Sequence, residues 1–248
     1  MDWSTLTLLT GPAGESLAAL VPVHLRLLGF FLTLPALGER ILTPRIKVSL
    51  ALLMTPLVHD VLPAAEGTIA LGALLANLMI GLACGMLVRL LALALDMATA
   101  AIAATASLSQ ILGAVNEASP HPIGNHLHLA GLALLMALGF PLLATDLVLR
   151  SFELWPVNGW PSVRDLSEHA AYVVSGSFQL AMLMAAPFIL GGFLYQALAG
   201  VVSKTMPQLP IALIGAPASI LLALVALAVL SPLILQSWAA AVFDFGFP

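Results

Sequence analysis

Thirty-nine consecutive residues, 205–243, contain no Asp, Glu, Lys or Arg, and a 35-residue charge-free run, 169–203, precedes them across the single cation Lys204. Two more such intervals cover residues 67–88 and 97–116. Roughly 20 helical residues cross a hydrocarbon core. Backbone groups in that medium must hydrogen-bond internally, which selects helices or closed barrels. No segment alternates with the period-2 pattern of an outer-membrane strand. The expectation is therefore an all-α, membrane-associated bundle of long, kinked helices and helical hairpins. Composition agrees: 61% of the 248 residues are hydrophobic and 8% are charged, about a third of the roughly 25% usual in a soluble domain. Eight Lys and Arg against twelve Asp and Glu leave no basic patch for nucleic acid.

Apolar helices are predicted at 16–37, 46–62, 68–95, 97–115, 127–149, 169–203 and 210–243. Besides Pro210 at the start of the last, seven prolines fall inside them, Pro22, Pro35, Pro56, Pro141, Pro187, Pro217 and Pro232. Each removes a helical hydrogen bond and favours a kink. Asp2 and Glu15 precede the first cation, Arg26. That is the reverse of a signal-peptide charge order, so the first apolar segment is expected to be retained. Gly81 and Gly85 form a GxxxG pair, and 96–107 contains six alanines. Small residues let helix backbones approach closely in lipid; the plain alternative is that alanine simply propagates helix.

Three polar connections interrupt the apolar segments. Residues 38–47 hold Glu39, Arg40, Pro44, Arg45 and Lys47, the densest cationic cluster, which the positive-inside rule places on the cytoplasmic side. Residues 116–128 carry Glu117, His121, His126 and His128. Histidines two apart do not share a helix face, so a hydrated connection is expected there and no metal site. Residues 150–169 include Trp155, Trp160 and two prolines, which suits an interfacial loop. No HExxH peptidase signature occurs, and no catalytic or cofactor-binding residue is assigned; the chain is read as a non-enzyme. Ionisable groups within apolar segments are functional candidates by default: Arg26 beside His24, Arg89 with Asp96, and Asp146 four residues before Arg150.

Residues 105–125 pass from apolar to polar. Ser107, Gln110 and Asn116 intermix with Leu108, Ile111, Leu112 and Val115. Such a stretch is either a re-entrant, plug-like element facing protein or water, or the end of an ordinary amphipathic helix.

Two strings carry a family resemblance. PALGERILTPRIKVSLALLMTPLV (35–58) and VSKTMPQLPIALIGAPASILLALVALAVLSPLI (202–234) resemble the FliR family of flagellar type III export-gate proteins, whose virulence-secretion counterpart is the SctT family. The resemblance covers essentially the whole chain. It implies a FliP-like helical portion, 1–165, followed by a FliQ-like hairpin, 166–248. It also implies FliP-like and FliQ-like subunits as partners and an FlhB-like protein at the cytoplasmic entrance. Unfolded export substrates would pass through the assembly, in the bacterial inner membrane at the flagellar basal body. The family's plug loop matches 107–125 here, assigning Ser107, Leu108, Gln110, Ile111, Leu112, Val115, Asn116 and Glu117 to the gate, with an aliphatic seal. Glu39, Arg40, Pro44, Arg45, Lys47, Lys204, Pro207 and Gln208 are expected at docking or cytoplasmic positions; topology-setting charge is the alternative. A virulence-branch protein and a self-sufficient small-solute carrier are the competing functions.

Overall fold

A computed structural model describes residues 12–37, 42–63, 71–105, 122–206, 208 and 211–245. These form seven helices: α1 (Pro12–Thr33), α2 (Pro44–Val61), α3 (Leu71–Thr105), α4 (Pro122–Ala137), α5 (Phe140–Leu154), α6 (Val163–Thr205) and α7 (Ile211–Phe243). No strand occurs among the described residues. The all-α expectation holds, but several helix boundaries differ from those expected.

The segment predicted at 68–95 and the described part of that predicted at 97–115, up to Thr105, form one 35-residue helix, α3, that runs straight through Asp96. A single Asp costs a helix interior at most about 0.7 kcal/mol, and this carboxylate pairs with His128 Nδ1 at 2.8 Å. The segment predicted at 127–149 is instead two helices, α4 and α5. Gly139 between them takes φ +94°, the left-handed conformation that glycine adopts without steric cost. Pro141 then sits in the first turn of α5, where its missing N–H is no loss. Helix also invades the expected connections. Arg45 and Lys47 belong to the first turn of α2, opened by Pro44 after an extended Thr43; His126 and His128 lie on α4; only 155–162 remain non-helical between α5 and α6. Of the prolines, Pro22, Pro56 and Pro187 are accommodated inside continuous helices.

The chain divides into two compact units, one made of residues 1–90, 139–173 and 245–248, the other of 91–138 and 174–244. In the first, α2 turns Lys47, Ala51, Thr55 and Val58 inward at helical spacing, while Leu52, Leu53, Leu57 and Val61 face outward. The polarity of this helix is thus inverted relative to a soluble one. Thr55 Oγ1 donates to Ala51 O at 2.6 Å. Its single proton is thereby used, so His24 Nδ1, 3.1 Å away, donates to the hydroxyl. In the second unit Trp238 of α7 is fully buried and donates Nε1–H to Leu91 O at 3.1 Å. Its ring lies against Gly131 of α4, where no larger residue leaves room for it.

Three helices among the described residues are long and apolar enough to cross a membrane: Leu71–Ile102, Leu166–Thr205 and Leu221–Phe243. The pair Gly124–Ala137 and Phe140–Leu154 would add a fourth as one broken span.

Candidate functional site

Arg26 lies in the middle of α1, where the chain is otherwise apolar, and is 1% exposed. A buried charge is costly unless its hydrogen bonds are met. Here Nε donates to Asn77 Oδ1 of α3 at 2.9 Å and Nη1 donates to Ser151 O of α5 at 2.8 Å. The guanidinium lies 3.9 Å from the centroid of the Phe152 ring, a cation–π contact. Nη2 is buried with no hydrogen-bond partner among the described residues. Asn77 extends the network through Nδ2, which donates to Ala73 O and to Val157 O, both at 2.7 Å. One cation therefore ties α1, α3 and α5 together, and Asn77 adds the 155–162 connection.

The same helices approach backbone to backbone. A Cβ on Gly29 would come within 2.6 Å of Leu78 O. One on Gly81 would meet Arg26 O, and one on Gly85 would meet Thr33 Oγ1 and lie 2.6 Å from Phe30 O. Thr33 Oγ1 reaches across to Leu82 O at 3.2 Å. Glycine is required on both sides of this crossing, because any side chain would overlap a main chain.

In the second unit, His128 Nδ1 and Asp96 Oδ1 meet at 2.8 Å, with side chains 23% and 38% exposed. Gly124, one turn before His128, faces Thr99, and Gly131 faces Leu95, so α3 and α4 are in contact on both sides of the pair. A groove of about 520 Å³ lies between α4 and α7, lined by His126, Leu127, Leu224, Leu227, Ser231 and Leu235 among others. No three His, Cys, Asp or Glu among the described residues gather to hold a metal ion.

The positions expected to dock or to face the cytoplasm separate. Pro44, Arg45, Lys204 and Gln208 are exposed. Lys47 is buried on the inner stripe of α2. Glu39, Arg40 and Pro207 lie outside the described residues, as do Ser107, Leu108, Gln110, Ile111, Leu112, Val115, Asn116 and Glu117. Asp146 and Arg150 form their (i, i+4) pair at 2.8 Å on the surface of α5, where such pairs contribute little.

Over residues 17–245 the sequence matches the family described as Bacterial export proteins, family 1. The chain belongs to that family. It is also 30% identical over 215 residues to the Flagellar biosynthetic protein FliR of Caulobacter vibrioides, a match covering 83% of this chain and 85% of that protein. The FliR-family resemblance of 35–58 and 202–234 thus extends over nearly the whole length. In this export protein the match takes in α2 to α7 and most of α1.

Two features of the export protein escaped the sequence reading. Arg26 stands out as a charge in an apolar run, but its partner Asn77 carries no charge and interrupts no interval. Asp96 and His128 are 32 residues apart, and no local periodicity links them.

Proposed function

We propose that this export protein is a structural and gating subunit of the flagellar type III protein export channel. On this reading it assembles with FliP-like and FliQ-like subunits, meets an FlhB-like protein at the cytoplasmic entrance, and lets unfolded substrates cross the bacterial inner membrane at the basal body. It does so without enzymatic chemistry. The name of the Caulobacter relative supports the flagellar assignment.

The observation that carries the reading is the length of bare apolar helix. Exposed large hydrophobic residues run along α6 from Tyr172 to Val202, about 45 Å at 1.5 Å per residue. A hydrocarbon core is roughly 30 Å thick. Even at a steep 40° tilt the exposed strip would project to about 34 Å. Lipid therefore covers only part of it, and the remainder needs protein. The most apolar window of α6 is 33% buried within the chain and that of α7 only 11%, against 56% for α3. The two C-terminal helices are those left for neighbours to cover, as a FliQ-like hairpin over 166–248 requires after a FliP-like portion over 1–165.

Gating is assigned to 107–125, with Leu108, Ile111, Leu112 and Val115 excluding water and ions from the closed passage as a hydrophobic constriction. Ser107, Gln110, Asn116 and Glu117 tolerate wetting when the segment moves aside. The test of the assignment is the mass of the particle extracted in mild detergent. A large complex containing FliP-like and FliQ-like subunits is expected; a monomer or dimer that transports a small solute would refute the proposal.

A further inference from the structure

We propose that Asp96 and His128 form a proton-responsive clamp between α3 and α4, tightened when His128 carries a proton. The clamp concerns these two helices alone and stands whether or not residues 107–125 act as a plug.

The geometry is that of a built contact. Nδ1 of His128 and Oδ1 of Asp96 are 2.8 Å apart and both side chains are partly shielded. The helices touch above and below the pair through Gly124 against Thr99 and Gly131 against Leu95. Gly131 in turn meets Trp238, anchored on Leu91 O. With a glycine of α4 on either side of His128, the spacing of α3 and α4 near the pair responds to how strongly imidazole and carboxylate attract.

Along α3 the nearest ionisable side chain is Arg89, seven residues before Asp96. On α4 it is His126, which lies on the groove toward α7. The α7 helix, which packs on α4, contains no titratable side chain from Ile211 to Phe243. Thr99 Oγ1 donates to the main-chain oxygen of Asp96, not to its carboxylate.

An imidazole changes charge between pH 5 and 8, whereas a carboxylate stays ionised down to about pH 4. Above that window the contact is a hydrogen bond from a neutral ring to a carboxylate. Within it, protonation adds a full ion-pair attraction. The clamp is therefore tightest in mildly acidic conditions and relaxes as pH rises.

Spin labels at Met97→Cys and Leu129→Cys read this spacing, since both positions are exposed and adjoin the pair. Cys84, the single native cysteine, is 1% exposed and stays unlabelled. In the intact export complex, lowering the pH from 8 to 6 should raise the short-to-long distance ratio about two- to fivefold, the range expected for a partly exposed ion pair. Asp96→Asn should abolish the response. His128→Lys, permanently charged, should hold the short distance at both pH values and keeps the test decisive if Asp96→Asn fails to assemble. A pH-independent wild type, an Asp96→Asn protein with the wild-type response, or a pH-sensitive His128→Lys protein would overturn the clamp.

Discussion

The guanidinium of Arg26 on α1 donates to the side-chain oxygen of Asn77 on α3 at 2.9 Å, with both residues shut away from solvent. A cation in mid-helix has become the fastener of its own unit. Asn77 also donates to Val157 O, so the two side chains together hold three helices and a connection.

Substituting Asn77 by Ala should therefore be costly. It strands the buried Nε donor of Arg26, and a buried unsatisfied group costs about 1–3 kcal/mol, with charged groups at the upper end; the part-buried Val157 O loses its donor as well. Arg26→Lys should be intermediate, because an ammonium cannot reproduce the planar fork that reaches Asn77 and Ser151 while lying over Phe152. Denaturant-induced unfolding in detergent measures both. A loss below 0.5 kcal/mol for Asn77→Ala would show that the network does not support the unit.

Glycine substitutions offer an internal contrast. Gly81→Ala and Gly85→Ala each drive a methyl group into the main chain of α1, and Gly29→Ala drives one into α3. Overpacking typically costs about 1–3 kcal/mol, more when backbone must move. Gly176, inside α6, has nothing within 4 Å of a new Cβ, so Gly176→Ala should be neutral or stabilise by up to about 1 kcal/mol. Thermal unfolding of the four variants should place the first three clearly below wild type and the fourth at or above it.

For the proposed gate, replacing residues 107–116 with a Gly/Ser sequence removes Leu108, Ile111, Leu112 and Val115 together. Ion conductance across membranes containing the assembled complex should rise, because a wetted segment no longer repels water from the passage. Conductance equal to that of wild type would remove the plug assignment.

Charge reversal separates docking from topology at the exposed cations. Arg45→Glu with Lys204→Glu should leave the chain inserted in the membrane yet absent from the complex, as read by co-purification of the partner subunits. Failed or inverted insertion would assign these residues to the positive-inside rule instead.

The charge-free intervals already dictate helices and a non-aqueous surrounding, since backbone polar groups can be satisfied internally and 8% charge cannot clothe a soluble surface. The strings at 35–58 and 202–234 carry the family, because short-range residue order survives without reference to the fold. Helix limits are less legible. Asp96 reads as a boundary and is mid-helix, whereas the apolar run across Gly139 reads as one helix and is two. One Asp is tolerated inside a helix, and its carboxylate finds a histidine 32 residues away, whereas Gly139 ends the run by taking the left-handed region. The glycine pair at 81 and 85 is visible as spacing, but its opposite member, Gly29, is apparent only at the crossing. Arg26 is conspicuous as a residue and mute as to purpose. Its role depends on an amide from α3, a carbonyl from α5 and an aromatic face, brought together by packing. Hydrophobic pattern is a local property and can be read along the chain; the pairing of buried polar groups is a three-dimensional one, and only the folded structure decides it.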